Sequence, residues 1–358
     1  MARKASAPDF RVLMLFNIDP EWETADIKAT VASTRQLADG LARAGLDTVM
    51  VPVDKPDLEK ALRPYSPEDC IVFNWCESLP GIEHSEGAVV RELDRLGFTF
   101  TGSTAHALDL SINKPLVKQC LGEWDVPTPR WRVFPNLRNA HQWNVFPAIV
   151  KPAHEHCSLG LSPQSVVTTN EELKQQISTL IRDMKQPALV EDFVDGREFH
   201  VALWGNDELE VLPAAEMDFA GISDMHQRLC DYDAKFTPDS ELYNKIGTLI
   251  PAPLTAEEKQ NLENTCRAAY RATGCRDYAR IDVRLRDGIF YVLDVNPNPD
   301  ISADASLACA AETAGISYGT LGRRIIEMAH QRHPVLSVRK PRTAPAAAQT
   351  EAAAASPA

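Results

Sequence analysis

The chain has 358 residues, 44% hydrophobic and 24% charged, with a formal net charge of -13. That length exceeds one ordinary domain, so two or three packed units are expected. The acidic balance disfavours nucleic acid and anionic membrane as partners, because phosphate surfaces are bound by clustered Lys and Arg.

At the N-terminus, Met1 to Phe10 lacks the apolar core of a signal peptide. No apolar run approaches the ~20 residues that cross a bilayer, and the eight cysteines fall singly, without metal-ligand spacing. A cytoplasmic protein with reduced thiols is the expectation. Arg11 to Ile18 is a buried-strand run, and polar Asp19 to Glu23 leads into an amphipathic helix with Ile27, Val31, Leu37 and Leu41 near one face. Strands at Thr48 to Val53, Ile71 to Trp75 and Phe98 to Thr101 alternate with helical stretches such as Gly87 to Leu96. That alternation implies a mostly parallel, doubly wound unit over residues 9–108.

A second unit, residues 109–198, mixes a helix at Asn113 to Leu121 with strands at Arg130 to Phe134, Ala148 to Lys151 and Ala188 to Glu191. A helix capped by Asn170 lies among them. A third unit, residues 199–335, holds the strand from Glu198 to Trp204 and a helix opened by a Thr255/Glu258 capping box. The strands Tyr278 to Leu285 and Ile289 to Asn296 and two final helices complete it. The Ala/Pro-rich stretch 336–358 has little to bury and is expected to be a disordered tail.

The most informative chemistry lies at Tyr278 to Asn296. In a strand, side chains two apart share a face, so Arg280 pairs with Asp282, and Asp294 with Asn296. A two-residue Asp287-Gly288 turn would set Asp282 opposite Leu293, whereas a three-residue Arg286-Asp287-Gly288 loop brings both acids to one face. The three-residue loop is predicted. Two carboxylates and an amide oxygen suit magnesium, or manganese in its place, and Arg280 beside them suits developing negative charge. A polar sheet face with solvated ion pairs is the alternative.

The run "YARIDVRLRDGIFYVLDVNPNP" resembles the metal-binding end of ATP-grasp ligases, most closely the D-alanine–D-alanine ligases. "VFNWCESLPGIEHSEG", "FTFTGSTAHALDLSINKPLVK", "PAIVKPAHEHCSLGLS", "LVEDFVDGREFHVALWG" and "DYDAKF" resemble other segments of that family in the same order, so the likeness runs from about Arg11 to Ala329. The resemblance implies an α/β and α+β ATP-grasp fold, in which two α+β subdomains follow the doubly wound unit and clasp ATP. By the same resemblance, Lys114, Lys151 and the loop bearing Ser158 would hold phosphates. Glu191 would accept from the adenine amino group, the Val194 backbone would complete the hinge, and Glu198 would bind ribose. Lys235 would swing in to the terminal phosphate, and Asp282, Asp294 and Asn296 would hold the metal.

The implied reaction activates a carboxylate as an acyl phosphate, which an amine then attacks, with Arg280 stabilising both oxyanions. Small-molecule carboxylate and amine substrates and a homodimer fit the family. A kinase or intramolecular cyclase, or a non-catalytic nucleotide-binding regulator, are the competing readings.

The substrate half departs from the family pattern. The family's glycine-rich turn with its ammonium-holding Glu is replaced by "NIDPEWETAD", where Glu21 or Glu23 could substitute or simply open the helix. Cys157 and Phe236 stand at the family's hydrogen-bonded Ser and Tyr, and the shorter Asp294 replaces a Glu. Asp300 stands where a glycine is usual, near Asp304 and Ser306, and carboxylates there would repel an acceptor's carboxylate. An acceptor other than D-alanine is one reading; helix capping by Asp300 and Asp304 is the other. Glu83, His84 and Glu86 form a further polar cluster that could reach substrate or cap a helix.

Overall fold

The computed structural model describes residues 10–156, 158–230 and 246–338. The first sheet contains β1 (Arg11–Asn17), β2 (Asp47–Val53), β3 (Cys70–Trp75) and β4 (Thr99–Phe100) in the order β2-β1-β3-β4, with parallel pairing. Its strands read as continuous apolar runs because both faces are covered. Leu13 and Leu15 turn toward α3 (Glu86–Arg95), beside α2 (Leu58–Leu62), through Val89, Val90 and Leu93. Val12 and Met14 turn the other way, toward Leu37 and Leu41 of α1 (Thr24–Arg43).

Two helices, α4 (Ala105–Ile112) and α5 (Lys114–Glu123), carry the chain out of this unit. The second sheet joins β5 (Trp131–Phe134), β6 (Ala148–Pro152), β7 (Val166–Val167) and β8 (Ala188–Asp192) in the antiparallel order β5-β8-β6-β7. It is backed by α6 (Asn170–Met184) through Leu173, Ile177 and Leu180. The cap of α6 is Thr169, not Asn170: its hydroxyl accepts from Glu172 N while the Glu172 side chain returns to the Thr169 N–H. The reciprocal pair satisfies two otherwise orphaned donors, which a lone Asn cap cannot do.

The third sheet contains β9 (Arg197–Gly205), β10 (Leu209–Val211), β11 (Ala215–Asp218), β12 (Gly247–Leu249), β13 (Asp277–Arg286) and β14 (Ile289–Pro297). Its main path is β12-β11-β9-β13-β14, with β10 on β9. The helix α7 (Ala256–Ala272), opened by the Thr255/Glu258 capping box, packs on it beside α5.

Packing crosses the boundaries drawn from sequence. Glu198 lies inside β9, so the break between the second and third sheets falls ahead of Arg197. Leu110, Val117 and Leu121 of α4 and α5 belong to the core of the third sheet. The final helices, α8 (Ser306–Thr313) and α9 (Tyr318–Gln331), supply Leu307, Leu321, Ile325 and Ile326 to the core between the first sheet and β9. Among the described residues no helix is long and apolar enough to cross a membrane.

Candidate active site

The hairpin of β13 and β14 corrects one expectation while keeping its consequence. Arg286 pairs directly with Ile289, so the turn is the two-residue Asp287-Gly288, with φ of 53° and 77°. Both positive φ values are what such a hairpin turn requires. The ladder then runs in register to Val283 opposite Val292, where Leu293 bulges out and Asp282 faces Asp294. A one-residue bulge re-aims everything beyond it. Arg280 therefore stands across from Asn296, and the four polar side chains share a face.

The bulge has a visible anchor. Lys118, on the same face of α5 as Lys114, is buried and donates to the carbonyls of Val292 and Leu293 at 3.2 and 3.1 Å and to Thr128 Oγ1 at 2.7 Å. The sequence reading missed Lys118; its position four residues after Lys114 on one helix was the available signal.

Charges in the site are arranged in pairs. Arg280 grips Asp282 with two bonds of 2.7 and 2.9 Å, and Asn296 Nδ2 donates to Asp282 Oδ2 at 3.2 Å. Lys114 Nζ lies 2.7 Å from Asp294. Burial would raise the Asp294 carboxyl, but Lys114 and Lys151 hold it down at about 2. Glu191, fully buried, sits 2.7 Å from both Lys118 and Lys151. Its burial is likewise overcome by the two ammonium groups, which lower its pKa. Arg284 Nε is 2.7 Å from Glu198, which Arg284 and His200 keep ionised despite burial. Five cations thus face four carboxylates in these pairs, a modest positive excess suited to a nucleotide that carries its own metal.

Two cavities meet here. A narrow cleft of about 50 Å³ between the second and third sheets is lined by Lys151, Glu191, Val194, Glu198, Ser158 and Arg284. A wider cavity of about 410 Å³ opens toward the first sheet, past Lys114, Arg280, Asn296, Trp75, Glu77 and Asp300. Ser158, Asp282 and Asp294 line both, so the acidic face stands at their junction.

The predicted nucleotide residues are brought together, with adjustments. The Val194 carbonyl already accepts from Arg284 at 2.9 Å, which leaves its second lone pair and the N–H for a hinge. An adenine amino group would have to share the Glu191 carboxylate with the two lysines. Ser158 donates to the Cys230 carbonyl at 2.9 Å, while Gly160 turns away toward Met184. Lys235, Cys157 and Phe236 lie outside the described residues.

The donor set on β13 and β14 fits magnesium: two carboxylates and an amide on one face, with no sulfur or imidazole. Glu198, His200 and Cys230 place ligand atoms within 4.8 Å of one another, but Arg284 already supplies the positive charge there.

The substrate assignments fare less evenly. Glu21 and Glu83 are exposed and line neither cavity, and Ser306 merely begins α8. Asp300 does line the wider cavity, and it caps a local turn by accepting from Ser302 N and Oγ at 2.9 and 2.7 Å. The N-cap of α8 is Ala305, so neither Asp300 nor Asp304 caps that helix. Glu77, Glu86, His156 and Trp75, which the sequence reading left without roles or beside other assignments, line the cavity with it.

Comparison with known proteins agrees with this architecture. Residues 129–327 match the family profile described as D-ala D-ala ligase C-terminus. The chain is 33% identical over 300 residues to "Uncharacterized protein y4sG" of Sinorhizobium fredii, covering 82% of this chain and 86% of the relative. It is 30% identical over 285 residues to a D-alanine–D-alanine ligase of Carboxydothermus hydrogenoformans, covering 76% and 86% of the two chains. The crystal structure of the Bacillus anthracis D-alanine–D-alanine ligase complexed with ATP superposes with a TM-score of 0.70 at 20% identity, over 90% of this chain and 98% of that one. The chain belongs to the D-alanine–D-alanine ligase family of ATP-grasp enzymes, ADP-forming ligases that make carbon–nitrogen bonds.

Proposed function

We propose that this enzyme joins a carboxylate to an amine through an acyl phosphate, acting on amino acids or amino-acid-derived metabolites other than the D-alanine pair. The observation that carries the reading is the junction of the two cavities: Asp282, Asp294 and Asn296 share a face with Arg280 there. The nucleoside of ATP would enter the narrow cleft beside Glu198 and Val194, with its phosphates at the junction between Lys151 and Lys114 of the wider cavity; at about 50 Å³ the cleft must widen to admit it. Asp282, Asp294 and Asn296 would hold magnesium, which draws charge from phosphate oxygens.

In the first step the substrate carboxylate attacks the terminal phosphorus, forming an O–P bond as the bond to ADP breaks. In the second, the amine nitrogen attacks the acyl carbon, and the tetrahedral oxyanion collapses with loss of phosphate. Arg280, in the wider cavity and held by Asp282, is suited to that oxyanion. Lys114, paired with Asp294 in the free enzyme, can exchange that partner for phosphate oxygen.

The acceptor end favours something other than D-alanine. Burial and then the Asp300 carboxylate push the Glu77 carboxyl up to about 7, although Glu77 keeps solvent access. A second substrate carboxylate there would be repelled by Asp300, and by Glu77 in its ionised fraction. Phosphate release across a matrix of D- and L-amino acids, singly and in pairs, tests the reading. Release only with both a carboxylate and an amine supports ligation, and phosphate retained on a single substrate would indicate a kinase instead. D-alanine saturating the acceptor site as it would a D-alanine ligase would refute the altered acceptor.

A further inference from the structure

The first sheet has a natural place for a ligand. In its order β2-β1-β3-β4 the chain leaves β1 toward one edge and returns for β3 on the other side, so the connections diverge between β1 and β3. The helix α1 packs on one face and α3 on the other. Such a divergence leaves a crevice beyond the C-terminal ends of the two strands, where ligands bind in open parallel sheets. Here the crevice is one wall of the wider cavity: Phe16 and Asn17 end β1, Asn74 and Trp75 end β3, and Glu77 follows two residues later. Buried neighbours set Glu77 in that wall. Asn17 accepts from the Glu77 N–H at 3.0 Å and donates to Ser78 Oγ at 3.2 Å. The Cys76 N–H donates to Asn74 Oδ1 at 3.3 Å.

The Glu77 carboxyl itself makes no hydrogen bond or ion pair with any described residue, whereas Asp282 and Asp294 are matched to Arg280 and Lys114. Asp300 lines the same cavity, and its charge adds to burial in raising the Glu77 carboxyl. The other titratable groups acting on Glu77 are Glu86 at the start of α3 and His156, and Tyr278 of β13 interacts with both Glu77 and Asp300. Two carboxyls that repel one another in an enclosed cavity favour a cation between them. Trp22 and Trp75 line the cavity as well, and aromatic faces attract cations too.

An ammonium seated between two carboxylates is held in its protonated form and has no lone pair, so it is not the nitrogen that attacks an acyl group. We infer that Glu77 is a specificity-determining residue which, with Asp300, seats a substrate ammonium that takes no part in the reaction. The assignment rests on the reading of the wider cavity as the substrate site. The ammonium has two possible sources: the α-ammonium of an amino acid that reacts through its carboxylate, or a side-chain ammonium of a diamino substrate.

Binding without turnover separates these sources. The whole chain, saturated with magnesium and the β,γ-imido analogue of ATP, is titrated with D- and L-alanine against propionate, and with D- and L-lysine against norleucine. Tryptophan emission reports occupancy, because Trp22 and Trp75 line the cavity. At least one ammonium compound should bind ~10- to 100-fold more tightly than its partner lacking that group. A preference within the alanine set identifies the α-ammonium, and one within the lysine set the side-chain ammonium. Glu77→Gln should weaken the ammonium compound alone and bring the two within about threefold of each other. Glu77→Asp should restore part of the difference, and both variants should keep wild-type affinity for the nucleotide analogue. A wild-type enzyme that binds no ammonium compound better than its partner would overturn the assignment. So would a preference that survives Glu77→Gln, or an equal loss of nucleotide affinity, which would mark a structural role. Ligation is tested separately by the product: phosphate left on a single substrate would sink the ligase reading, while a preference abolished by Glu77→Gln would still support the ammonium seat.

Discussion

At the scale of single residues, the site keeps its charges paired. Arg280 is the clearest case, since it lines the wider cavity and not the narrow cleft. Replacing it with Ala should lower kcat by ~100- to 1,000-fold, as for other lost oxyanion donors. ATP affinity, measured by calorimetry, should change less than about threefold, and persistent turnover would remove the role. The paired carboxylates also set the acid limit of the fold. Glu198 and Asp294 are more acidic folded than unfolded. The unfolded chain therefore binds more protons, and their contribution is present above about pH 4 and lost as pH falls toward about 2. The urea midpoint should drop steeply between about pH 4 and about pH 2, and a flat profile there would contradict this.

At the scale of elements, the bulge in β14 aims the side chains proposed to hold magnesium, and Lys118 donates to the bulge's carbonyls. Its ammonium holds the Val292 and Leu293 carbonyls while neutralising Glu191. Burial lowers the Lys118 pKa, so the surrounding acceptors are what keep it charged. A Lys118→Met enzyme loses those anchors and leaves Glu191 with Lys151 alone. It should unfold about 3 kcal/mol more easily, in keeping with the cost of breaking a buried pair. It should also need at least ~10-fold more magnesium for half-maximal turnover. Unchanged magnesium dependence would show that the bulge holds itself.

At the scale of the whole molecule, the C-terminal helices lock the first sheet to the third. A Cβ at Gly319 would lie 2.4 Å from the Gly40 carbonyl oxygen, so α1 and α9 cross in contact because both positions are glycine. Asp277, fully buried, accepts from Arg332 through both oxygens at 2.7 Å, from Gly102 N at 2.8 Å and from Asn206 at 3.2 Å. That one carboxylate joins the end of the first unit, the start of β13 and the residue just after the last helix. Asp277→Ala should cost about 3–5 kcal/mol of unfolding free energy in urea, because Arg332 loses its counter-charge and Gly102 its acceptor. A loss below about 1 kcal/mol would show that the helices are held by apolar packing alone.

The local elements were legible in the sequence because they obey local rules. Alternating runs made the strands, the Thr255/Glu258 box opened α7, and period-two spacing put Arg280 with Asp282 and Asp294 with Asn296. The ordered motifs also carried the family. What escaped were properties that depend on distant partners. The turn chemistry of Asp287-Gly288 was readable, but the bulge that reverses its consequence is fixed by a lysine far away on α5. Glu191 read as a nucleotide contact, but nothing in its own segment shows that two buried lysines share its carboxylate. Glu21 and Glu83 read as substrate contacts, and Glu77 was passed over, until the fold left the first two outside the cavity and brought Glu77 into it. Sequence determines which face a side chain takes within its own strand or helix; which charges become neighbours, and therefore which remain ionised and face the substrate, is decided only when the three sheets close on one another.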